Sequence, residues 1–355
     1  MLKKPDIKNN SKKILRFFLI ILIYLLIICV LLEVGLRIAL PHYFPPGQDS
    51  PNIWQYDENY GWIGRPNIDT RFRQPAFDIQ VQHNSLGHRA KEYPARRNTK
   101  KRMLVVGDSF VWCYGVQSSE CFVDILEKKN PNWEIINIGV AGTGTDQQYL
   151  ILKDRIEYYK PDVVMLLFIQ NDFQDNMSKE NHNYYKPYFT LENKKLALQQ
   201  IPVPTPRLDQ TLERWIYGRS YLYNTSNYLR LIITNIVRES LGYGPVKWEP
   251  YAGFTFQSSF EITQALLNAM TDVSEQHHAT FVVVHGQMLE LLHLVIKQTT
   301  DARSVDLHNL DRAFEGHVHA EYQIPGDAHW NAFGHQLVAN DIDKFLHEIR
   351  IFPDE

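Results

Sequence analysis

Residues 101–110 read Lys-Arg-Met-Leu-Val-Val-Gly-Asp-Ser-Phe. The apolar run Met103–Val106 stops at Gly107, and polar residues follow at once. This is the pattern of a buried strand that delivers side chains at its C-terminal end. Similar runs recur at Ile135–Ile138, at Asp162–Phe168 and at Phe281–Val284. The Val-Val-Met-Leu-Leu within Asp162–Phe168 is apolar on both faces, which suits a central parallel strand covered by helices above and below.

Helical patterns alternate with these runs. Phe122–Leu126 and Gln147–Tyr159 read as helices between successive strands. Ser258-x-x-Glu261 is a capping-box signature, and Ile262, Leu266, Ala269 and Val273 then share one helical face. Asn331–Ile349 reads as a closing amphipathic helix. The alternation predicts an α/β protein, a three-layer α/β/α sandwich around a central parallel sheet with right-handed crossovers.

Two regions break the rhythm. Residues 41–100 carry seven prolines with Trp54, Tyr60 and Trp62, and read as an extended juxtamembrane segment with short strands. Within it Phe77–Gln82 alternates as an exposed strand would, and Asn84-Ser85-Leu86-Gly87 is a turn signal. Residues 173–255 are rich in Asn, Tyr and Pro, include a helical pattern around 208–240, and read as an insertion.

The N-terminus has its own logic. Residues 1–16 hold Lys3, Lys4, Lys8, Lys12, Lys13 and Arg16 against Asp6 alone, a balance of +5 in a chain whose net charge is -3. Phe17–Leu36 is then almost wholly apolar and has the roughly 20 residues a spanning helix needs. Glu33 and Arg37 stand four residues apart near its far end, where they can pair. A cleaved signal peptide would have a shorter apolar core and a small-x-small site, which is not evident here. The expectation is an uncleaved single-pass anchor at 17–40, with residues 1–16 cytoplasmic and the rest extracytoplasmic. Residues 41–100 would form the juxtamembrane extension, and 101–350 a catalytic domain that carries the 173–255 insertion.

Composition removes other classes. With 44% hydrophobic and 12% aromatic residues, the chain has material for a core and is not a disordered chain. Three cysteines cannot staple 355 residues, and the near-neutral charge argues against a nucleic-acid partner.

In an open parallel sheet, ligands sit beyond the C-terminal ends of the strands. The residues there are Gly107-Asp108-Ser109-Phe110, then Asn137 through Gly142, then Gln170-Asn171-Asp172. Gly326-Asp327-Ala328-His329-Trp330-Asn331 precedes the last helix. Together they supply a hydroxyl nucleophile, a histidine, an acid and amide donors, which are the parts of a serine acyl-transfer site. Val111 stands where G-x-S-x-G would need its second glycine, which argues against the α/β-hydrolase elbow.

These four blocks, in this order, resemble the SGNH (GDSL-type) hydrolase superfamily over roughly residues 101–350. Gly61-Trp62 and Asn84-Ser85-Leu86-Gly87-His88-Arg89 resemble its membrane-anchored bacterial branch. The resemblance implies the flavodoxin-like fold of that superfamily. It implies Ser109 as nucleophile, His329 as general base and Asp327 as the acid that orients the imidazole. It also implies an oxyanion hole made of the Ser109 and Gly142 backbone N–H groups and the Asn171 amide. Two positions depart from the family pattern. The last block is Asp327-Ala328-His329 where Asp-x-x-His is familiar, and the shorter form resembles the branch that O-acetylates polysaccharides. Gln170 stands where the third block usually has glycine.

Plainer readings exist for each residue. Ser109 could bound a turn, Gly139 reads as a turn glycine, and His329 could serve the last helix. His317-x-His319 with Asp327 and His329 could in principle ligate zinc, yet no H-E-x-x-H motif is present and no metal or cofactor is expected. Cys113 and Cys121 could pair in an oxidising space, or Cys113 could simply pack beside the nucleophile turn. Tyr184, Tyr185, Tyr188, Trp215, Tyr217, Tyr221 and Tyr223 mark the insertion as a source of substrate specificity without identifying the substrate. The expected function is a membrane-anchored esterase acting on an O-acyl, best an O-acetyl, ester of a glycan or lipid. An O-acetyltransferase acting on a polysaccharide is the alternative within enzymes. A catalytically idle, membrane-tethered glycan-binding or scaffold protein is the alternative outside them.

Overall fold

The computed structural model describes residues 7–39, 53–74, 76–95, 100–181, 184–208, 256–286 and 288–353, with positions 212, 216, 220–223, 225–226, 229–230, 233 and 237 between. The chain divides into two compact units.

The first unit contains helix α1 (Ile7–Ala39) and the described part of 215–247. Within α1, the 26 residues Ile14–Ala39 contain an 18-residue window with a mean hydropathy of 3.2, long and apolar enough to cross a membrane or to act as a signal sequence. Most of their side chains are exposed and none is buried, with Glu33 and Leu36 partly covered. Arg37 pairs with Glu33 at 2.7 Å, as the spacing predicts. The Glu33 carboxylate also accepts from the Ser220 hydroxyl and from the Tyr221 and Leu222 N–H groups, and so caps the helical residues that begin at Tyr221. The helix expected around 208–240 lies largely outside the described residues, as do Trp215 and Tyr217.

The second unit opens with two antiparallel hairpins. β1 (Trp54–Asp57) pairs with β2 (Gly61–Gly64), and β3 (Asp69–Gln74) pairs with β4 (Phe77–Gln82). The alternation read in β4 is real: Ile79 and Val81 are buried while Asp78, Gln80 and Gln82 face out. β5 (Lys101–Val106), helix α2 (Phe122–Lys129), β6 (Trp133–Asn137), helix α3 (Thr145–Tyr159) and β7 (Val163–Ile169) follow in the expected alternation. A short turn of helix, α4 (Asp172–Asp175), leads to the small strands β8 (Glu180–Asn181), β9 (Tyr184–Tyr185), β10 (Tyr188–Glu192) and β11 (Lys195–Gln199). The rest comprises helix α5 (Phe256–Gln276), β12 (Thr280–Gly286), helix α6 (Glu290–Arg303), β13 (Asp306–Asn309), the helical turn α7 (His319–Tyr322) and helix α8 (Ala332–Glu348). Helix α5 starts before Ser258, so the capping-box reading placed its beginning too late.

The central sheet has the order β13-β12-β7-β5-β6, and every pairing in it is parallel. Strand residues alternate between its two faces. Met103, Val105, Met165, Leu167, Val282 and Val284 pack with α2 and α8. Leu104, Val106, Val164, Leu166, Phe281 and Val283 pack with α3, α5 and α6. This is a three-layer α/β/α sandwich, and the continuous apolar runs follow from a sheet buried on both faces. The chain moves outward from β5 to β6, then returns across β5 to β7. The strand order therefore reverses between β5 and β7, and a crevice opens beyond their C-terminal ends. Tyr60, Trp62, Ile63 and Tyr93, from the hairpin region, belong to the α3-side core.

Candidate active site

Ser109 follows β5 on a tight turn. The Asp108 carboxylate accepts from the Phe110 N–H at 2.9 Å, the Asp108 carbonyl from the Trp112 N–H at 2.9 Å, and the Ser109 carbonyl from the Tyr114 N–H at 3.0 Å. A disulfide joins Cys113 at the end of this turn to Cys121 at the start of α2. The pairing that the sequence left open is thus formed. The buried Arg89 guanidinium ties the outside of the turn, donating to the carbonyls of Trp112, Cys113 and Val116.

His329 and Asp327 lie in a narrow loop between α7 and α8. The Ile324 N–H donates to the His329 carbonyl at 2.9 Å, and Gln323 bridges Trp330. The Asn331 side chain caps α8 by accepting from the Gly334 N–H at 3.0 Å, so the loop stops where the helix begins. His329 Nε2 lies 2.7 Å from Ser109 Oγ, and its Nδ1 lies 2.5 Å from Asp327 Oδ1. The same carboxylate oxygen accepts from the His329 N–H at 2.9 Å. Burial acts to raise the Asp327 carboxyl, but these hydrogen bonds and the imidazole charge outweigh it and hold the carboxyl below its ordinary range. With Nδ1–H donating to Asp327, Nε2 is left to accept from the serine hydroxyl. The imidazole packs against two rings, Phe110 at 4.7 Å and Tyr114 at 4.6 Å between centroids, and these contacts restrict its rotation.

Gly142 follows β6. Its φ of +76° is in the left-handed region, which a glycine enters without strain. Gly139 is required for a different reason than the turn read for it: a Cβ there would stand 2.6 Å from the Val111 side chain. The Trp62 indole donates to the Ala141 carbonyl at 3.0 Å, and the Asn181 amide to the Gly142 carbonyl at 2.9 Å. Among the described residues, neither the Ser109 nor the Gly142 N–H finds an acceptor.

Asn171 follows β7, adjacent to β5 in the sheet. Its amide nitrogen donates to Asp108 Oδ2 at 3.0 Å and to Asp175 Oδ2 at 3.0 Å. It is therefore tied to the residue that precedes Ser109. Gln170 accepts from the Leu289 N–H at 3.0 Å, and Asn171 keeps an ordinary right-handed helical backbone beside it. Asp172 is buried, accepting from the Ile169 N–H and the Gln148 amide at 2.9 Å each. Burial first, and the nearby Asp108 charge second, push its carboxyl well up.

His317, weighed above as a zinc ligand, has another partner, as do two further histidines of the C-terminal third. His308 bonds to Asp341 at 2.5 Å, His317 to Glu321 at 2.9 Å, and His335 is buried and stacked on Phe122. Among the described residues no three such groups converge. Asp175, Asn181, Trp62, Phe110 and Tyr114 are contributors that the sequence reading did not assign to the site. For Asp175 a signal was present, since Asn171 and Asp175 are four apart on one helical turn.

The arrangement can pass a proton from a serine hydroxyl to an imidazole that a carboxylate holds in place. The family model described as GDSL-like lipase/acylhydrolase matches residues 103–342. Among solved structures, TesA is 12% identical, with a TM-score of 0.40, over 70% of this chain and 99% of that one. The psychrotrophic esterase EstA from Pseudoalteromonas sp. is 13% identical, with a TM-score of 0.40, over 70% of this chain and 100% of that one. The family 3 carbohydrate esterase of Clostridium thermocellum is 12% identical, with a TM-score of 0.38, over 70% and 96%. No curated protein matches the sequence.

Proposed function

Because the chain belongs to the GDSL-like lipase/acylhydrolase family, we propose that it is a membrane-anchored serine esterase whose nucleophile is Ser109. The observation that carries this is the 2.7 Å contact between His329 Nε2 and Ser109 Oγ, continued at 2.5 Å to Asp327. His329 takes the hydroxyl proton as Oγ attacks the ester carbonyl carbon. The resulting oxyanion is received by the Ser109 and Gly142 N–H groups and the Asn171 amide. Collapse breaks the bond to the alcohol oxygen, which takes the proton from His329 and leaves as the free alcohol. A water then gives its proton to His329 and attacks the acyl carbon; collapse breaks the bond to Ser109 Oγ, which takes that proton back from His329 as the acid leaves. No step calls for a metal or cofactor.

The substrate class we favour is an O-acyl, best an O-acetyl, ester of a glycan or lipid. The supporting observations are the family and the aromatic side chains that follow the third strand. The Asp327-Ala328-His329 spacing favours one second reading, transfer of the acyl group from Ser109 to a polysaccharide hydroxyl in place of water. Residues 1–16 are proposed to face the cytoplasm, 17–40 to span the membrane, 41–100 to lead to the domain, and 101–350, with its 173–255 insertion, to act outside. The Cys113–Cys121 disulfide supports that orientation, because disulfides persist in oxidising compartments.

Three experiments test the parts. A serine-reactive fluorophosphonate should label the protein and not Ser109→Ala; equal labelling of both removes Ser109 and revives the scaffold reading. Acetylated glycans assayed with water alone and with sugar acceptors separate hydrolysis from transfer. A C-terminal alkaline phosphatase fusion should be active, and an inactive fusion beside a working cytoplasmic reporter overturns the topology.

A further inference from the structure

Asp175 touches two loops of the site at once. Its Oδ2 accepts from the Asn171 amide at 3.0 Å, and its Oδ1 accepts from the Asn181 amide at 3.1 Å. The same Asn181 nitrogen donates to the Gly142 carbonyl at 2.9 Å. One carboxylate thus links the side chain after β7 to the peptide after β6. Asp175 is itself held, since the Lys186 ammonium donates to its carbonyl at 2.9 Å while forming a wholly buried ion pair with Asp146.

We propose that Asp175 is a positioning residue of the oxyanion hole, fixing Asn171 with one oxygen and, through Asn181, the Gly142 loop with the other. This rests on the reading of Asn171 and Gly142 as oxyanion donors. The geometry makes the role specific. Asn171 has two amide hydrogens, and both are engaged, one by Asp108 and one by Asp175. The hydrogen directed at Asp108 lies toward the residue that precedes the nucleophile, and it is the one an oxyanion can share. The hydrogen directed at Asp175 anchors the amide so that it does not rotate. A misplacement near 1 Å in such a donor costs on the order of a hundredfold in rate.

The anchor needs both carboxylate oxygens as acceptors. Desolvation chiefly, then the Asp108 and Asp146 charges, raise the Asp175 carboxyl to about 7 against the lowering effects of Asn171 and Lys186; Asp172 is a further acid beside it. Protonation places a hydrogen on one oxygen and withdraws an acceptor from one of the two amides. Asp175→Asn imitates that state at every pH.

The test is the turnover of an acetyl ester such as p-nitrophenyl acetate from pH 6 to 9. At pH 8, Asp175→Asn should lose about ten- to a hundredfold in kcat with KM little changed. The ratio of wild type to variant should shrink toward pH 6, and taking the ratio cancels every titration the two proteins share. Asn181→Ala, outside the buried acid cluster, should also lower kcat with KM kept, and should add little in an Asp175→Asn background. Unchanged kcat at pH 8, or a loss that is the same at every pH, overturns the proposal. If Asp175→Asn does not fold, Asn181→Ala alone decides: unchanged kcat overturns it. Ser109→Ala is run in parallel. Activity surviving there sinks the esterase reading, whereas a dead Ser109→Ala with a normal Asp175→Asn sinks only this inference.

Discussion

The Trp62 indole N–H donates to the Ala141 carbonyl at 3.0 Å, and that carbonyl shares a peptide plane with the Gly142 N–H. In a trans peptide the two groups point in opposite directions. Trp62 therefore aims the Gly142 N–H away from itself, as an oxyanion donor needs to be aimed. Trp62→Phe keeps the ring in its buried place and deletes only the donor. The expected result is a kcat lower by about tenfold with KM little changed, and a stability loss of about 1 kcal/mol. Steady-state kinetics beside urea denaturation check both. A normal kcat would mean that the Gly142 peptide is held by other contacts.

Arg89 performs the corresponding task for the turn that carries Ser109. Its Nη1 donates to the Trp112 carbonyl at 3.1 Å and the Cys113 carbonyl at 2.5 Å, and its Nη2 to the Val116 carbonyl at 2.7 Å and the Gln80 carbonyl at 3.3 Å. Desolvation lowers its pKa to about 10, yet the side chain remains charged at neutral pH. Arg89→Met leaves buried carbonyls without donors and should cost roughly 3–5 kcal/mol. Arg89→Lys should recover little of this, because a single ammonium cannot span the fork. Denaturant midpoints for the two variants check the claim, and full rescue by lysine would refute it.

The sheet was legible because its strands are buried on both faces, which writes continuous apolar runs into the sequence at 103–106, 135–138 and 281–284. Ser109, Gly142 and Asn171 lie in blocks that follow strands, which local sequence shows, and the resemblance of those blocks to the family suggested their roles. The clamps around them could not. Trp62 reaches Ala141, Arg89 reaches Cys113 and Asn181 reaches Gly142 across long stretches of chain, and no short-range periodicity encodes such contacts. The disulfide was left open for the same reason: its formation depends on a turn in which Cys113 takes a φ of +61°, which the residue types do not dictate.

His335 gives a pH-dependent prediction. It is buried on α8, stacked on Phe122, and desolvation chiefly lowers its pKa to about 3. In the unfolded chain a histidine titrates near 6.5. The unfolded state therefore takes the proton first as pH falls, and stability is lost progressively from about pH 6.5 toward about 3. Raised carboxyls such as Asp124 and Asp175 act in the opposite sense, so the whole-protein curve hides this effect. The difference between wild type and His335→Phe isolates it. Relative to its value at pH 7.5, that difference should move by about 3 kcal/mol in favour of the variant at pH 4.5. A difference that is flat between the two pH values would mean that His335 is not buried in its neutral form.

The last prediction concerns Ser109 and His329 acting as one unit. A serine hydroxyl is a weak nucleophile near neutral pH and needs a base within about 2.6–3.2 Å. The 2.7 Å contact from His329 Nε2 meets that requirement without substrate bound. If the imidazole works only by removing the Ser109 proton and returning it to the leaving group, it has no task once the hydroxyl is gone. Ser109→Ala and His329→Ala should then each abolish most turnover, by several orders of magnitude, and the double variant should be little worse than either. Asp327→Asn should fall less far, since the base remains and only its tautomer and orientation suffer. The residual rate in all of them would come from the oxyanion donors and substrate binding, so Asn171→Ala placed on top of Ser109→Ala should still lower it. Losses that multiply in the Ser109–His329 double variant would show two independent roles, and the shared proton path would have to be abandoned.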